Sequence, residues 1–378
     1  MHFACTQENL IQGLNMVSHI SGKNINLPVL GNVLLKTEAG SLRMSTTNLE
    51  IAVNCLVRGK VEVEGEYSVP AKLFLDYVSL LPSGKVELIL QEDGLEVRSG
   101  EQETVLKGMV ASEFPLLPKL AKEKGFELKA IDMKRAISQV ASAVSTSESR
   151  PELMGVACYF GGIAGQGKVA FTATDSYRLA ERIMIYKGST EEGKWIIPVR
   201  ALNESARIIG SYKDEMNMPE NIDFYFTENQ LVITFGNVEL ISRLIEGSFP
   251  DYKPLIPTNF KTEAILSRSE VQKAVRAASL FARQGVFDIH FSFDPEAGTC
   301  TVQSADQGTG KTKTSIKGKI VGETNRLTLN FRYLNDGLSA MDSTEIRFRQ
   351  IDHNSPALII PEGSKEEYQY LVMPIRSN

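Results

Sequence analysis

Tyr67-Ser68-Val69-Pro70-Ala71-Lys72-Leu73-Phe74-Leu75-Asp76-Tyr77-Val78-Ser79-Leu80-Leu81 contains a helix-length stretch, Pro70–Leu81, with Leu73, Tyr77 and Leu81 at helical spacing. The same layout returns twice. Trp195–Gly210 (WIIPVRALNESARIIG) predicts a helix over Pro198–Gly210, with Val199, Leu202, Ala206 and Ile209 as its apolar stripe. Leu327–Met341 (LTLNFRYLNDGLSAM) predicts one over Asn330–Met341, with Phe331, Leu334, Leu338 and Met341. Each lies sixty-odd residues behind another amphipathic stretch: Gln7–Ile20, Asp132–Ser145 and Arg268–Ala282. Solenoid repeats span about 20–50 residues, and this unit exceeds 100. Three similar domains in a row are therefore expected, at 1–124, 125–257 and 258–378, with linkers over 119–125 and 257–261.

Between the helices the texture is β. Short alternating runs such as Asn32–Lys36, Ile51–Asn54, Lys85–Leu90, Lys168–Ala173, Gln230–Phe235, Asp288–Phe293 and Thr344–Arg349 are separated by hairpin-length turns, which predicts antiparallel sheets. The fold class is α+β, each domain setting two helices on antiparallel sheet. At 378 residues, 42% hydrophobic and 23% charged, the chain has the composition of an ordinary soluble protein. No apolar run approaches the roughly 18 residues of a membrane span, and MHFACTQENL does not read as a secretory signal, so no membrane association and a cytoplasmic location are expected. Cys5, Cys55, Cys158 and Cys300 lie far apart and without a CxxC pair, as buried reduced thiols do. No metal site and no cofactor are expected, because His2, His19, His290 and His353 are equally scattered.

Charge is distributed unevenly. The six helical stretches hold Lys72, Lys134, Arg135, Arg200, Arg207, Arg268, Lys273, Arg276 and Arg332 against six carboxylates, while the whole chain carries −5. Such segregation lets an acidic protein turn a basic surface toward phosphates, although a solvated helix face mixes charges in the same way.

Four further stretches carry a resemblance. Leu27-Pro28-Val29-Leu30-Gly31-Asn32-Val33-Leu34-Leu35 resembles the LPxLGNxLL signature of the bacterial β sliding clamps. Thr174-Asp175-Ser176-Tyr177-Arg178-Leu179-Ala180 is similar to the family's ATDxxRLA, and Gly247-Ser248-Phe249-Pro250-Asp251-Tyr252 to its GxFPDY. Val372-Met373-Pro374-Ile375-Arg376 is similar to its VMPMR ending. The likeness runs through the whole chain in register.

The resemblance implies a DNA clamp fold closed as a head-to-tail homodimeric ring around duplex DNA, without catalysis and without sequence reading. It implies the polymerase α subunit, the clamp loader, and other polymerases and repair proteins as partners. Their short peptides would enter a pocket at Leu153, Thr174, Ser176, Tyr177, Arg178, Leu179, Pro250, Leu255, Leu371, Met373, Pro374, Ile375 and Arg376. Pro254 and Ile375 depart from the family's usual basic residue and Met. DNA contacts would fall on Lys23, Lys72, Lys134, Arg135, Arg200, Arg207, Lys213, Arg268, Lys273 and Arg276, and the dimer contacts on Thr104, Leu106, Leu280 and Phe281.

Two readings from other classes stand beside this one. Gly308-Thr309-Gly310-Lys311-Thr312 resembles the tail of a phosphate-binding loop, on which a nucleotide-dependent enzyme would rest. Ala305 occupies the position where that motif needs glycine, and the following residues alternate like a strand, which favours a hairpin. An acidic scaffold that binds proteins and no DNA would rest on the net charge alone. Asp175 reads as a turn-forming carboxylate.

Overall fold

The computed structural model describes residues 1–22, 27–118, 121–123, 125–212, 218–363 and 367–376. They form two compact units that do not follow the repeats. One comprises Met1–Lys134, Lys187–Ser189 and Arg200–Leu244; the other comprises Arg135–Tyr186, Thr190–Val199 and Ile245–Asn378.

Among the described residues six α-helices appear where the repeat places them: α1 (Gln7–Val17), α2 (Ala71–Leu80), α3 (Ala130–Val140), α4 (Val199–Gly210), α5 (Arg268–Ser279) and α6 (Phe331–Ser339). The starts of α1, α5 and α6 are capped by residues that sequence chemistry favours. Thr6 Oγ1 accepts from Asn9 N at 3.2 Å, and Asn330 Oδ1 from Arg332 N at 2.9 Å. α3 stops earlier than its apolar spacing predicts, passing into a 3-10 turn at Ala141–Ala143. α2 differs in rotation. Ala71, Phe74, Val78 and Leu81 are buried, while Leu73 of the expected stripe is 52% exposed. Both registers have apolar side chains at helical spacing. The one observed places Ala71 inward as the chain leaves the strand Glu66–Pro70. In α4 Leu202 and Ile209 of the expected stripe are buried, joined by Ala201, Ser205 and Ile208, while Val199 and Ala206 are only partly buried.

Every strand pair is antiparallel, as the turn lengths predict. In the first unit a five-stranded sheet runs Lys60–Val63, His2–Thr6, Lys85–Gln91, Gly94–Ser99, Gln102–Leu106. A nine-stranded sheet beside it joins the first repeat to part of the second, through pairing of Val238–Ser242 with Ile51–Cys55. In the second unit a twelve-stranded order joins the rest of the second repeat to the third, where Arg178–Ile183 pairs with Glu367–Val372. Some of these strands, Gly155–Phe160 and Arg178–Ile185 among them, are buried on both faces and lack the burial alternation by which a strand is read from sequence.

The three repeats share one turn at the end of a hairpin strand. Asn48 Oδ1 accepts from the backbone of Glu50 and Ile51, Asp175 Oδ1 from Tyr177 and Arg178, and Asp306 Oδ1 from Gly308 and Thr309, all at 2.8–3.2 Å. Asp175 is thus the turn-former expected. Gly308–Thr312 is the third copy of this turn and leads from the strand Thr299–Asp306 into the strand Gly310–Gly322. No helix N-terminus follows it, so the resemblance to a phosphate loop ends at its letters.

Candidate functional site

The seam between Arg178–Ile185 and Glu367–Val372 is where the quoted motifs converge. Leu179 lies opposite Leu371 in the ladder, and Leu371 is also opposite Leu358 of the next strand. These three pack with Leu153, Ala157, Ile196, Phe249 and Tyr252 into one apolar cluster. Around that buried floor stand exposed apolar side chains: Tyr177 at 62%, Leu255 at 56% and Met373 at 38%. The backbone closes one side, where Met373 N donates to Tyr177 O at 2.8 Å.

The turn that carries Tyr177 is rigid. Thr174 Oγ1 donates to Arg178 O (2.6 Å) and accepts from Ser176 N (3.1 Å), and Ser176 is held at φ 79°, a conformation costly for a residue with a Cβ. Arg178 reaches Asp175 Oδ2 at 2.9 Å and pairs with Asp336; its guanidinium carbon lies 4.6 Å from the centre of the Tyr333 ring. Tyr177 stacks on the same ring at 6.4 Å and 19°. α6 brings Tyr333 and Asp336 to this place because Gly337 lets it close on the strand behind: an added Cβ would meet the Tyr370 ring at 2.4 Å.

Behind the floor is a buried carboxylate. Glu181 accepts from Tyr252 OH, from Lys253 Nζ at 2.7 Å and from Gln369 Nε2 at 2.5 Å. Burial, reinforced by the Glu181 charge, pushes the Tyr252 phenol far above its ordinary value, so it stays a donor at every physiological pH. Two of the three donors, Tyr252 and Lys253, fix the Phe249–Leu255 segment to the strand that bears Leu179, and the third, Gln369, ties in the strand beside it.

Thus Leu153, Leu179 and Leu371 share the floor, while Thr174, Ser176, Tyr177, Arg178 and Met373 form its edge. Leu255 follows Tyr252 in a 3-10 turn, and Pro250 lies between the buried Phe249 and Tyr252. Pro374, Ile375 and Arg376 continue the tail, with Ile375 N donating to Thr328 O at 2.8 Å, away from the cluster. Sequence reasoning missed Tyr333, Asp336 and Glu181. The last directly follows the quoted TDSYRLA, and a charged residue within an apolar run was the available signal.

The basic residues divide into two groups. Lys72, Lys134, Lys273 and Arg276 are exposed, and Arg200 is exposed beside Glu50 at 3.7 Å. Arg207 is committed to the fold: it donates to Asn15 O (2.9 Å) and Met16 O (2.7 Å) at the end of α1 and pairs with Glu204. Arg268 does the same for α6, donating to Leu338 O and Ser343 O. Arg135 pairs with Asp342 at 3.5 Å. Lys23 and Lys213 lie outside the described residues. Of the dimer candidates, Thr104 and the buried Leu106 belong to the edge strand Gln102–Leu106; Leu280 is 73% exposed just past α5, with Phe281 half-buried next to it. Among the described residues no cluster of metal-ligating side chains occurs, and no helix is long and apolar enough to cross a membrane.

Comparison with known proteins accounts for the triplication. Family models for the N-terminal, central and C-terminal domains of the DNA polymerase III beta subunit match residues 1–118, 127–251 and 253–376, in that order. The chain belongs to the β sliding clamp family. It is 29% identical to the beta sliding clamp of Synechocystis sp. over 398 residues, covering 100% of this chain and 99% of the relative. The Staphylococcus aureus beta sliding clamp is 29% identical over 387 residues, with both chains fully covered. The crystal structure of the Bacillus subtilis DNA polymerase sliding clamp superposes with a TM-score of 0.91 at 27% identity over the whole of both chains. That of the Streptococcus pyogenes polymerase beta subunit gives 0.92 at 21%, a likeness of fold. The fold is the three-domain clamp fold, and the protein is a processivity factor of DNA replication.

Proposed function

We propose that two copies of this chain close head to tail into a ring around duplex DNA, and that the groove over Leu179 and Leu371 tethers the replicative polymerase and other partners by short peptides. The observation that carries this is a pair of open strand edges. Gln102–Leu106 ends its sheet, and Gly310–Lys317 pairs on one side only, with Thr299–Asp306, among the described residues. The first edge bears Glu103, with Glu101 beside it; the second bears Lys311, Lys313 and Lys317. Exposed edges of this length invite a further strand, and opposite charges favour each other over self-pairing. Thr104, Leu106, Leu280 and Phe281 would lie at that closure.

The repeats 1–124, 125–257 and 258–378 are the proposed domains, and Lys72, Lys134, Arg135, Arg200, Arg207, Arg268, Lys273 and Arg276 the proposed phosphate contacts, of which Arg207 and Arg268 also hold the ends of neighbouring helices. Such contacts are weak, salt-sensitive and blind to sequence, so retention on DNA comes from topology. We infer a cytoplasmic protein that needs no catalysis of its own, loaded by an ATP-driven clamp loader.

Light scattering coupled to gel filtration should give twice the 41.7 kDa of one chain, and Val105→Pro, which disrupts the edge, should give the single mass. A loaded ring should stay on a circular plasmid and run off once the plasmid is cut. Equal retention on both forms would refute encirclement, and stoichiometric nucleotide binding lost in Lys311→Ala would favour the enzyme reading.

A further inference from the structure

On the third repeat a cleft of about 550 Å³ opens over the strands Asp288–Asp294, Thr299–Asp306, Gly310–Gly322 and Asn325–Asn330. Strand register puts its polar residues on one face. His290 lies opposite Gln303 and Thr328, Gln303 opposite Lys313, and Ser292 opposite Arg326. The alternate residues Ile289, Phe293, Val302 and Leu329 are buried on the other face. The rim is completed by His353 and Asn354 from a loop, and by Ile375 of the tail.

The charge of this lining is one-sided. Its charged members are Lys313 and Arg326, with the imidazoles of His290 and His353 beside them and no Asp or Glu, in a chain whose net charge is −5. The one buried carboxylate near it, Asp288, is held ionised by Arg283 at 2.6 Å, with His290 Nε2 at 3.7 Å, and does not line the cleft. His290 Nδ1 is engaged with Thr328 Oγ1 at 2.8 Å, which fixes its ring. The tail links the cleft to the groove described above, because Ile375 lines the one while Met373, two residues earlier, edges the other.

We propose that this cleft is an electrostatic subsite for acidic residues flanking the apolar anchor of a partner peptide. The volume suits two or three residues of extended chain. Arg326 presents a fork to a carboxylate, Lys313 a point charge, and Asn354 a neutral donor. A strand-edge tail between anchor and subsite lets one peptide occupy both. The proposal rests on the groove reading, and its test separates the two.

Fluorescence anisotropy with a Gln-containing, Leu/Phe-ended pentapeptide would be compared with the same anchor extended by three Asp or Glu residues at either end. One of the extended peptides should bind about five- to tenfold tighter at low salt, as two partly exposed charge contacts warrant. That advantage should vanish in Arg326→Glu and in 0.5 M salt, while the anchor alone binds wild type and variant equally. Arg326 is exposed on a solvated sheet face away from the edge proposed for ring closure, and circular dichroism of the variant checks its fold. An extension without benefit at either end, or a benefit that survives the variant, would overturn the subsite. An anchor that fails to bind the wild-type protein would overturn the groove reading and, with it, the subsite as its continuation. Displacement of the acidic peptide by a single-stranded oligonucleotide, at equal or lower concentration and lost in the same variant, would replace it with a phosphate-backbone site.

Discussion

The two units each contain a seam where strands of different repeats pair, and the seams are built alike but finished differently. In the first, Val238–Ser242 meets Ile51–Cys55 over a small cluster of Ala52, Val232 and Ile241, with only Leu117 and Tyr225 packed against it. In the second, Arg178–Ile183 meets Glu367–Val372 over a cluster of eight buried side chains. Each has a Ser-x-Phe-Pro or Ser-Phe-Pro segment nearby. Phe114 and Phe249 are buried alike, and the segments part three residues later, where Leu117 is half-buried in the first and Tyr252 in the second is fully buried and bonded to Glu181. A repeated framework therefore supplies a seam twice, and the local side chains decide which one becomes a floored groove.

The largest expected effect tests that difference directly. Tyr252→Ala removes a fully buried ring and one of the three donors of Glu181, and should cost about 3–5 kcal/mol in urea unfolding. Leu117→Ala, at the half-exposed counterpart, should cost less than about 1 kcal/mol. Equal costs would mean that the second segment is no better anchored than the first.

Next in size, Leu371→Ala and Ile241→Ala should each destabilise their own seam by about 2–4 kcal/mol. Only the former should weaken the pentapeptide, because Leu371 lies under Tyr177 and Met373. Peptide affinity unchanged in Leu371→Ala, in protein still folded, would remove the groove from the second seam.

How much of this contrast could be read beforehand follows from the physics of each signal. The six helices and the antiparallel texture were legible because amphipathic periodicity and turn chemistry are local. The seams were not, since pairing of Arg178 with Val372 or Val238 with Cys55 is a long-range fact, and the strands involved are buried on both faces. The residues proposed for the groove came from the resemblance of TDSYRLA, SFPDY and VMPIR, and of these the structure packs Leu179, Phe249, Tyr252 and Leu371 into one cluster. Tyr333 and Asp336 escaped because they sit on α6 as part of an ordinary helix pattern. Arg207 and Arg268 carry a role that helix charge alone does not announce: each satisfies carbonyls that end a neighbouring helix.

Buried thiols give a pH test shared by both units. Cys55 lies in the first seam, opposite Val238, and Cys300 in the strand Thr299–Asp306 of the second unit. Burial pushes each thiol up from 9.0 to about 12. Above pH 9 the unfolded chain releases these protons and the folded chain keeps them, so stability is full below pH 9 and falls toward pH 12. The slope is about 1.4 kcal/mol per pH unit for each thiol. Cys55→Ala and Cys300→Ala should each flatten the decline of Tm with pH; an unchanged slope in both would show that other groups dominate it.

The smallest effect concerns the turn that the seams share. Leu49 and Ser176 follow Asn48 and Asp175 in the two copies and sit at φ 76° and 79°. Their backbone amides donate to Thr47 Oγ1 and Thr174 Oγ1, at 3.0 and 3.1 Å. The threonine and the Asx side chain together hold a left-handed residue that would otherwise avoid it. The third copy keeps the carboxylate, Asp306, but has Ala305 in place of the threonine. Glycine adopts this conformation without steric cost but loses more entropy on folding, so Leu49→Gly and Ser176→Gly should each stabilise by no more than about 1 kcal/mol. Leu49 is half exposed and buries little, so its gain should be clear. Ser176 also accepts from Arg150 Nη1 at 3.2 Å on the surface, so its gain should be smaller. Thermal unfolding that instead showed both variants weakened would mean that the side chains, and not the strain of the turn, set the balance. Peptide binding should separate the two copies again, with Leu49→Gly leaving it untouched and Ser176→Gly loosening the loop that presents Tyr177.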